Sequence, residues 1–401
     1  MTASLFPHLM TRWLSRRTVM SWGAGLVLAT VFGTATAGGK PYSYYMTGNV
    51  QTTTLAPPAT PSIVLMGGGP DVDEAFRWMI TRAGIRPGTG GRFVVIRATG
   101  TEAYDPYIYY SDAALGTSAP VADQWVGGAS LGLSSVETLV IPSITAANNA
   151  FVNSVVGQAN AVFIAGGDQS DYFKYWKGTK LEQTLQGLMS NNIPLGGTSA
   201  GLAVLGQFDF AALNGSVNST QALSDPYNKY MTLDPAPLSQ TGGFLAPPAL
   251  ANAILDSHVD SRDRMGRLIT FVARLVAPQA SPGGTTGCSG GILTTGSSSS
   301  ATARGIGVSV ETALLVQGNG AAQPYTARRV TNLSTTTESA VYFVRPSIPP
   351  TTCASKKPLT MRTVEIQKLM ESNTIFNLSE WTGLPSYSVD ALSGSLTSSP
   401  Y

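Results

Sequence analysis

Short apolar runs, separated by helical or turn-rich stretches, dominate the hydrophobic pattern of this chain. The first run is Ser62–Met66, and a helical pattern follows at 73–80. Further apolar runs occupy residues 92–96, 138–141 and 161–165. These runs lack a clean alternation of apolar and polar positions, which is typical of parallel strands buried on both faces. The pattern therefore predicts an α/β fold with a mainly parallel sheet and helices on both faces.

Three further segments complete the predicted organisation. Residues 38–61 are polar and predict an extended segment before the first strand. Residues 277–303 consist mostly of Gly, Ser, Thr, Ala and Pro, a composition that buries too little apolar area to pack, so we expect a mobile insertion there. A strand pair is expected at 305–308 and 313–316. Residues 62–401 are thus predicted to form a single α/β domain around this insertion.

Residues 1–37 have the character of a targeting segment. Basic residues, among them Arg16 and Arg17, precede an uncharged and largely apolar stretch at 18–34, and the small residues Ala35-Thr36-Ala37 follow. This order is typical of a cleaved signal peptide, whereas a membrane anchor needs about 20 apolar residues. We expect a secreted or periplasmic protein with no stable membrane anchor after cleavage. The arginine pair leaves open whether the signal is of the twin-arginine type.

Charge and reactive-residue content exclude several classes of protein. The formal net charge is +2 and only 12% of the residues are charged, which excludes a strongly basic nucleic-acid binder. The two histidines, His8 and His258, cannot build a multi-histidine metal site. Two cysteines, Cys288 and Cys353, are too few for an all-cysteine zinc site. An oxidising compartment would allow these cysteines to pair, and the sequence leaves that open.

The clearest chemical signal is the pentapeptide Gly197-Thr198-Ser199-Ala200-Gly201. Residues 193–196 before it and 202–206 after it predict a short strand, a sharp turn and a helix. This is the Gly-x-Ser-x-Gly nucleophile elbow, whose glycines permit a strained turn that lifts the serine hydroxyl out of the sheet. The alternative is a small-residue helix start that Ser199 merely caps.

A base for this serine is available in a charged stretch around His258. Because the other histidine lies in the leader, His258 is the only candidate histidine in the mature chain. The stretch also contains Asp256, Arg262, Arg264 and Arg267, and guanidinium groups are forked donors suited to carboxylates. The alternative is an exposed, salt-bridged start of a helix.

A third motif, Gly166-Gly167-Asp168-Gln169, follows the apolar run at 161–165. Its glycines allow the backbone to approach a reacting carbonyl, and Asp168 and Gln169 can position a polar substrate. The carboxyl ends of parallel strands are where ligands bind in such sheets. The alternative is a turn in which Asp168 caps the following helix.

Taken in chain order, these motifs resemble the cyanophycinase and dipeptidase E-type serine peptidase family, in its cyanophycinase branch. The matching segments are Gly166-Gly167-Asp168-Gln169, Gly196-Gly197-Thr198-Ser199-Ala200-Gly201 and Asp256-x-His258-x-x-x-Arg262-x-Arg264-x-x-Arg267. Weaker similarity extends from about residue 62 to 392. The resemblance implies a class I glutamine amidotransferase-like sheet.

The resemblance also implies roles for individual residues. It implies that Ser199 is the nucleophile and His258 the general base, with the N–H groups of Gly167 and Ala200 as the oxyanion hole. The residues assigned to substrate binding are Asp168, Gln169, Asp256, Arg262, Arg264 and Arg267. The implied substrate is a peptide or a cyanophycin-type polymer, a polyaspartate with arginine on its side-chain carboxyls, and the product is β-Asp-Arg. No metal or organic cofactor is implied, and a homodimer is left open.

One position departs from the family pattern. The family has its triad glutamate in a segment like Gly-Ile-Gly-Ile-Asp-Glu-x-Thr-Ala, whereas this chain has Val310 at that position and Glu311 one residue later. A shift of one residue in a strand turns the side chain to the opposite face. Glu311 is therefore expected to complete the triad only from a strand end or a bulge, and Asp256 is another candidate acid.

Three functions remain open on the sequence alone. The leading hypothesis is a secreted serine peptidase that acts on cyanophycin or related β-aspartyl peptides. The second is a catalytically impaired homologue that binds such substrates, because Val310 replaces the glutamate. The third is an esterase or unrelated peptidase that shares only the elbow. A histidine base with an ordinary pKa near 6.5 predicts activity that falls below about pH 6.

Overall fold

The structure, a computed structural model, describes residues 39–51, 53, 55–111, 125–239, 242–277, 287–288, 290–296, 301–320, 325–333, 335 and 338–401. The predicted leader lies outside these residues. Among the described residues, no helix is long and apolar enough to cross a membrane.

Strands and short helices alternate in the first half of the described chain, and strands dominate the second half. The strands are β1 Ser43–Gly48, β2 Ser62–Met66, β3 Arg92–Arg97, β4 Ser135–Val140, β5 Ala161–Ile164, β6 Leu195–Thr198, β7 Asp209–Phe210, β8 Leu233–Asp234, β9 Ala253–Ser257, β10 Gly287–Cys288, β11 Arg304–Val308, β12 Thr312–Gln317, β13 Thr326–Thr331, β14 Val341–Pro346, β15 Thr352–Cys353, β16 Met361–Leu369, β17 Phe376–Asn377, β18 Ser386–Leu392 and β19 Ser395–Leu396. The helices are α1 Asp73–Arg82, α2 Tyr104–Tyr109, α3 Gly128–Leu131, α4 Ile144–Ala147, α5 Ala150–Gly157, α6 Gln169–Trp176, α7 Lys180–Ser190, α8 Ser219–Ser224 and α9 Met265–Leu275.

A nine-stranded sheet in the order β1-β4-β3-β5-β6-β2-β12-β13-β17 forms the centre of the molecule. Its strands β4, β3, β5, β6 and β2 are mutually parallel, and antiparallel strands extend it on both sides. Because these five strands are parallel, the loops after β2, β3, β5 and β6 leave the sheet at one edge. The predicted α/β class is confirmed.

Both faces of this sheet are buried, which explains why its strands are continuous apolar runs. On β2, Leu65 points into a cluster with helices α4 to α7, whereas Val64 and Met66 join α1 on the other face. The same alternation occurs on β3, where Val94 and Val95 belong to the two different clusters. Helices therefore cover both faces, as the pattern predicts.

A second sheet was not expected from the sequence. Its six strands have the order β19-β18-β16-β14-β11-β9, and all neighbours are antiparallel except β11 and β9. Helix α9 packs on one face through Leu268 and Val272. The other face adds Leu255 and Ile306 to the core of the first sheet. This sheet positions the end of β9, which carries the predicted histidine segment.

The predicted strand pair at 305–308 and 313–316 is wrong in its pairing. Both strands form, as β11 and β12, but β11 pairs with β14 and β9, and β12 pairs with β2 and β13. The short connection between them crosses from one sheet to the other. Glu311 in this connection has φ 53°, a left-handed conformation that redirects the chain.

The described part of the segment 277–303 packs more closely than its composition suggests. Leu293 is buried and its backbone bonds to Leu275 and Ala277, which extends the end of α9. Thr302 and Ala303 are also buried. The composition argument thus underestimates the packing of these residues, because backbone hydrogen bonds anchor the few apolar side chains there, and the mobility of the segment stays a prediction.

The backbone brings the two cysteines together. Strands β10 and β15 are parallel and place Cys288 opposite Cys353, which is buried. The side chain of Cys288 lies outside the described part of the chain, so their pairing stays a prediction.

Candidate active site

The serine of the predicted elbow stands in a strained turn directly after β6. Ser199 has φ 53°, which is unusual for a residue other than glycine, and backbone strain of this kind clusters at functional sites. The turn needs small neighbours, since a Cβ on Gly201 would collide with the carbonyl oxygen of Ile164. The Ser199 side chain is half-buried, so its hydroxyl lies at the edge where the parallel strands end.

The helix expected after the elbow does not form. Residues 199–204 make hydrogen-bonded turns, among them a single helical bond from the N–H of Ala203 to the carbonyl of Ser199 at 3.1 Å. The N–H of Gly206 instead donates to the carboxylate of Asp209 at 2.9 Å. The chain therefore leaves the helical path and enters β7.

His258 reaches the serine from the second sheet. Its Nε2 lies 2.8 Å from the Oγ of Ser199, a hydrogen-bond distance. The residue follows β9 with φ 51°, and its N–H donates to the carbonyl of Gly67 at 2.8 Å. Gly68 packs directly against the imidazole, since a Cβ there would collide with Cε1 and Nε2. The two sheets thus meet at the serine–histidine pair.

Two backbone donors beside the serine match the predicted oxyanion hole. The N–H groups of Gly167 and Ala200 donate to no acceptor among the described residues. A Cβ on Gly166 would lie 3.4 Å from the Cβ of Ser199, so the loop after β5 runs alongside the elbow. Unpaired donors at such a position can stabilise negative charge that develops on a carbonyl oxygen.

Asp168 and Gln169 occupy this same loop with different partners. The carboxylate of Asp168 accepts from the N–H of Ser170 at 2.9 Å and caps α6, as the alternative interpretation predicts. The amide of Gln169 donates to the carbonyl of Phe210 at 3.3 Å. Asp168 is nevertheless exposed, so its remaining acceptor capacity faces solvent.

The predicted arginine cluster divides into a buried and an accessible part. Arg267 is 2% exposed and donates to both oxygens of Asp256, at 2.6 and 2.7 Å. Its guanidinium also donates to the carbonyl of Val217 and lies over the ring of Phe210. The sequence assigned Asp256 and Arg267 to substrate contact. Burial in a mutual ion pair is at odds with that role and makes them structural.

The other two arginines of the cluster remain available. Arg264 is half-buried, and its guanidinium donates to the carbonyl of Ser257 at 3.0 Å and lies 3.7 Å from Asp256. Burial lowers the pKa of Arg264 to about 10, which leaves it charged at neutral pH. Arg262 is exposed, and its side chain forms no ion pair with a described residue. Both lie close enough to His258 to act on its titration.

No carboxylate completes a triad within the described part of the chain. The Nδ1 of His258 forms no hydrogen bond there, and the carboxylate of Glu311 makes neither a hydrogen bond nor an ion pair. The N–H of Glu311 bonds to the carbonyl of Gly68, and the N–H of Val310 bonds to Asp260 at 3.0 Å. The expectation that Glu311 serves as the triad acid is therefore not supported by this geometry.

Burial and nearby cations hold the histidine in its neutral form. Burial is the largest influence, followed by the charges of Arg262 and Arg264, and together with Arg267 they lower the pKa of His258 to about 4. Asp256 acts in the opposite direction but does not offset them. A neutral imidazole at pH 7 can accept the serine proton.

Two contributors to the site were missed by the sequence reading. Tyr401 holds the histidine loop, since its hydroxyl donates to the carbonyl of Val259 at 3.1 Å or to the carboxylate of Asp263 at 2.8 Å. Asp71, after β2, accepts from the hydroxyl of Tyr104 at 2.7 Å, and burial raises its pKa to about 6. An acidic residue in the glycine-rich loop after the first apolar run was the signal that could have found Asp71.

The fold and the site together define an α/β protein with a serine–histidine pair at the carboxyl edge of its parallel strands. Residues 129–218 match the family described as Peptidase family S51. Over 144 residues the chain is 29% identical to a cyanophycinase from Trichormus variabilis and to one from Nostoc sp., covering 36% of this chain and 43% of each relative. Over part of its length the chain is therefore similar to Peptidase family S51 and to cyanophycinases, and it spans less than half the length of the curated relatives it matches.

Two solved structures match this chain at low sequence identity and with TM-scores below 0.5. A peptidase from an acI-B1 Actinobacterium has 15% identity and a TM-score of 0.41, covering 83% of this chain and 98% of that structure. A putative peptidase E protein from Listeria monocytogenes has 13% identity and a TM-score of 0.34, covering 68% and 100%. The segment that matches the family contains Gly167 and Ser199 but not His258.

Proposed function

We propose that this protein is a secreted serine-type peptidase that hydrolyses cyanophycin or related β-aspartyl peptides to β-Asp-Arg. The observation that carries the proposal is the 2.8 Å contact between Ser199 Oγ and His258 Nε2, on a serine held in a strained elbow. The two cyanophycinases among the relatives support the substrate class.

In this proposal, His258 removes the proton of Ser199 while the oxygen attacks the carbonyl carbon of the scissile bond. The resulting oxyanion accepts hydrogen bonds from the N–H groups of Gly167 and Ala200. The imidazolium then gives its proton to the leaving amine, which releases the first product and leaves an acyl group on Ser199. Water, activated by the same imidazole, attacks the ester and restores the free serine.

The imidazolium formed in this cycle lacks a directly bonded carboxylate among the described residues. Asp256 lies two positions before His258 and favours its charged form through space. We therefore infer a serine–histidine dyad. The hydrogen bond from the N–H of His258 to the carbonyl of Gly67 fixes the backbone of the histidine, and the packing of Gly68 orients its ring. Loss of the orienting acid costs about 10⁴-fold in turnover in the chymotrypsin triad, so slow hydrolysis is expected.

The missing carboxylate partner of His258 also favours the second candidate function, a binding protein without activity. A homologue with no triad acid would bind β-aspartyl peptides through Arg262 and Arg264 without cleaving them. The observation in its favour is that Glu311 makes no side-chain bond to His258. Binding without turnover, together with an unreactive Ser199, would identify this function.

The experiment that tests the proposal incubates the purified chain with cyanophycin, β-aspartyl dipeptides, an ordinary α-linked peptide and a short-chain ester. Release of β-Asp-Arg, detected by mass spectrometry, is the expected result. Hydrolysis of the ester with no cleavage of any peptide would contradict the proposal and favour an esterase. Tight binding of β-Asp-Arg with no product would favour the binding function.

Replacing Gly68 with alanine should disable the site without unfolding the protein. Because the new Cβ would collide with the imidazole, His258 must move, and a displacement of about 1 Å can cost roughly 100-fold in rate. The matched control is Gly84→Ala, which also has positive φ, at 76°, but has no atom within 4 Å of the new Cβ. Equal rates for the two variants would show that the imidazole position does not matter.

The pH profile should differ from that of an ordinary histidine base. With the pKa of His258 lowered to about 4, the rate should stay level from pH 8 to 5 and fall near pH 4. The structure thus moves the expected fall down from about pH 6. A step near pH 6 would instead report Asp71, whose pKa is raised to about 6, and should vanish in Asp71→Asn.

The lowered pKa of His258 also makes the free energy of unfolding depend on pH. Between the unfolded pKa of 6.5 and the folded pKa of about 4, the unfolded chain binds a proton that the folded chain does not. The free energy of unfolding should therefore decrease as the pH falls through this window. His258→Gln should reduce this slope, and an unchanged slope in denaturant titrations would contradict the lowered pKa.

The proposed peptidase acts after export, as a secreted or periplasmic protein. Basic residues followed by the uncharged stretch at 18–34 and by Ala35-Thr36-Ala37 support cleavage after Ala37. N-terminal sequencing of the exported protein tests this, and a first residue far from Gly38 would contradict it.

A further inference from the structure

Arg97 is a cation at the same edge of the sheet as Ser199, and neither the site described above nor its family motifs use it. It ends β3, and its strand neighbour β5 leads into the loop of Gly167. Its side chain is half-buried. Since β3 lies two strands from β6, the strand axes of Arg97 and Ser199 are about 10 Å apart.

The guanidinium of Arg97 is oriented but not neutralised. Its Nε donates to the carbonyl of Thr99 at 2.6 Å and its Nη1 to the carbonyl of Thr101 at 3.2 Å. Among the described residues, Nη2 has no acceptor and no carboxylate lies within ion-pair distance. Two neutral carbonyls therefore fix the fork in place and leave its charge available for an anion.

The surroundings of Arg97 connect it to the reactive serine. Its guanidinium lies 5.8 Å from the ring centre of Tyr104, whose hydroxyl donates to Asp71. Its charge acts on the titration of Asp71 and of Tyr172. The hydroxyl of Tyr172 would lie 3.0 Å from a Cβ on Gly167, so a side chain that responds to the charge of Arg97 packs against the loop of the predicted oxyanion hole.

Arg97 and the pair Arg262 and Arg264 approach Ser199 from opposite sides. In the sheet, β3 and β5 lie on one side of β6, whereas β2 lies on the other, and the loop after β2 contacts His258. Arg262 and Arg264 belong to the histidine side. A substrate that crosses the serine along the sheet edge would therefore meet a cation at each end.

We propose that Arg97 binds a free carboxylate of the substrate, on the side of the scissile bond opposite Arg262 and Arg264. The proposal rests on the proposed β-aspartyl peptidase function and makes it more specific, since it requires an acidic group on both sides of the cleaved bond. Cyanophycin meets this requirement, because the arginine on each aspartate keeps a free α-carboxylate, so the residues on both sides of the cleaved backbone bond carry one.

Binding measurements in the Ser199→Ala protein test this independently of turnover. The probes are β-Asp-Arg and its two single carboxamides, one at each carboxyl group. Arg97→Gln should weaken the binding of β-Asp-Arg roughly 10- to 100-fold, the effect of losing a charged hydrogen bond. One carboxamide, whose missing carboxylate is the partner of Arg97, should bind equally to both proteins, whereas the other should show the full loss.

Two variants separate recognition from a structural role. Arg86→Gln removes an exposed arginine before the opposite end of β3 and should leave all affinities unchanged. Arg97→Lys keeps the charge and should retain part of the affinity. A thermal unfolding midpoint is recorded for every variant.

Two results would overturn the proposal. Arg97→Gln could weaken all three probes equally, which would assign Arg97 to holding residues 99–101, or it could leave all affinities unchanged. If the wild-type chain releases no product but the selective loss is found, the peptidase function fails and the carboxylate site stands. If product is released and the selective loss is absent, only the carboxylate site fails.

Discussion

Replacing Ser199 with alanine should lower kcat/KM for cyanophycin by about 100-fold, because the effects of triad members are not additive and the missing acid has already removed much of the rate. The Oγ of Ser199 is the atom that His258 contacts at 2.8 Å, and alanine removes only that oxygen. The backbone at φ 53° is equally strained for both residues, so the thermal midpoint should hardly change. The measurement is the rate of β-Asp-Arg release by the two proteins.

The control for this variant is Ser261→Ala, which removes an exposed serine hydroxyl from the histidine segment. Its rate should stay within a factor of about two of the wild type, since surface substitutions rarely matter. Product release by Ser199→Ala at the wild-type rate would show that another residue performs the chemistry.

Replacing Arg267 with alanine should destabilise the protein by up to about 3–5 kcal/mol, the cost of breaking a buried ion pair, because only the more distant Arg264, at 3.7 Å, would remain as a cation beside Asp256. Asp256 is 2% exposed and would lose both of its guanidinium donors. The variant would also lose the packing of Arg267 against the stacked rings of Phe210 and Phe271. Denaturant titration measures the change in the free energy of unfolding.

The matched control is Arg362→Ala, which breaks a surface pair with Asp390. The side chain of Arg362 is 59% exposed, so this loss should stay below about 1 kcal/mol. If Arg267→Ala were as stable as Arg362→Ala and instead lost substrate affinity, the original assignment of Arg267 to substrate binding would be correct.

The parts of the fold that sequence predicts well are those with one dominant physical cause. Continuous apolar runs mark strands buried on both faces, and Ser62–Met66 is a strand with the predicted bounds. The nucleophile elbow could be predicted because its glycines are required sterically: a side chain at Gly201 would collide with the backbone of Ile164.

The remaining features depend on contacts between distant segments. Strands β11 and β12 have the expected positions, but the turn at Glu311 sends them to different sheets, and a local pattern does not contain that information. Arg262, Arg264 and Arg267 look alike in sequence, and only the fold buries Arg267 beneath Phe210.

Arg97, in contrast, could have been predicted from the local sequence. It directly follows the apolar run at 92–96, at the strand end where ligands are expected, and that rule could have identified it. It was overlooked because the family motifs lie in other segments.

Labelling with a fluorophosphonate probe tests the central claim most directly, since the reagent reports whether a serine hydroxyl is activated as a nucleophile. The purified protein, its Ser199→Ala variant and its His258→Gln variant are treated in parallel, and the adduct is located by peptide mass mapping. One adduct per chain, at Ser199, is expected in the wild type, with none in Ser199→Ala and greatly slowed labelling in His258→Gln. An unlabelled wild-type chain, or labelling that does not depend on His258, would contradict the account.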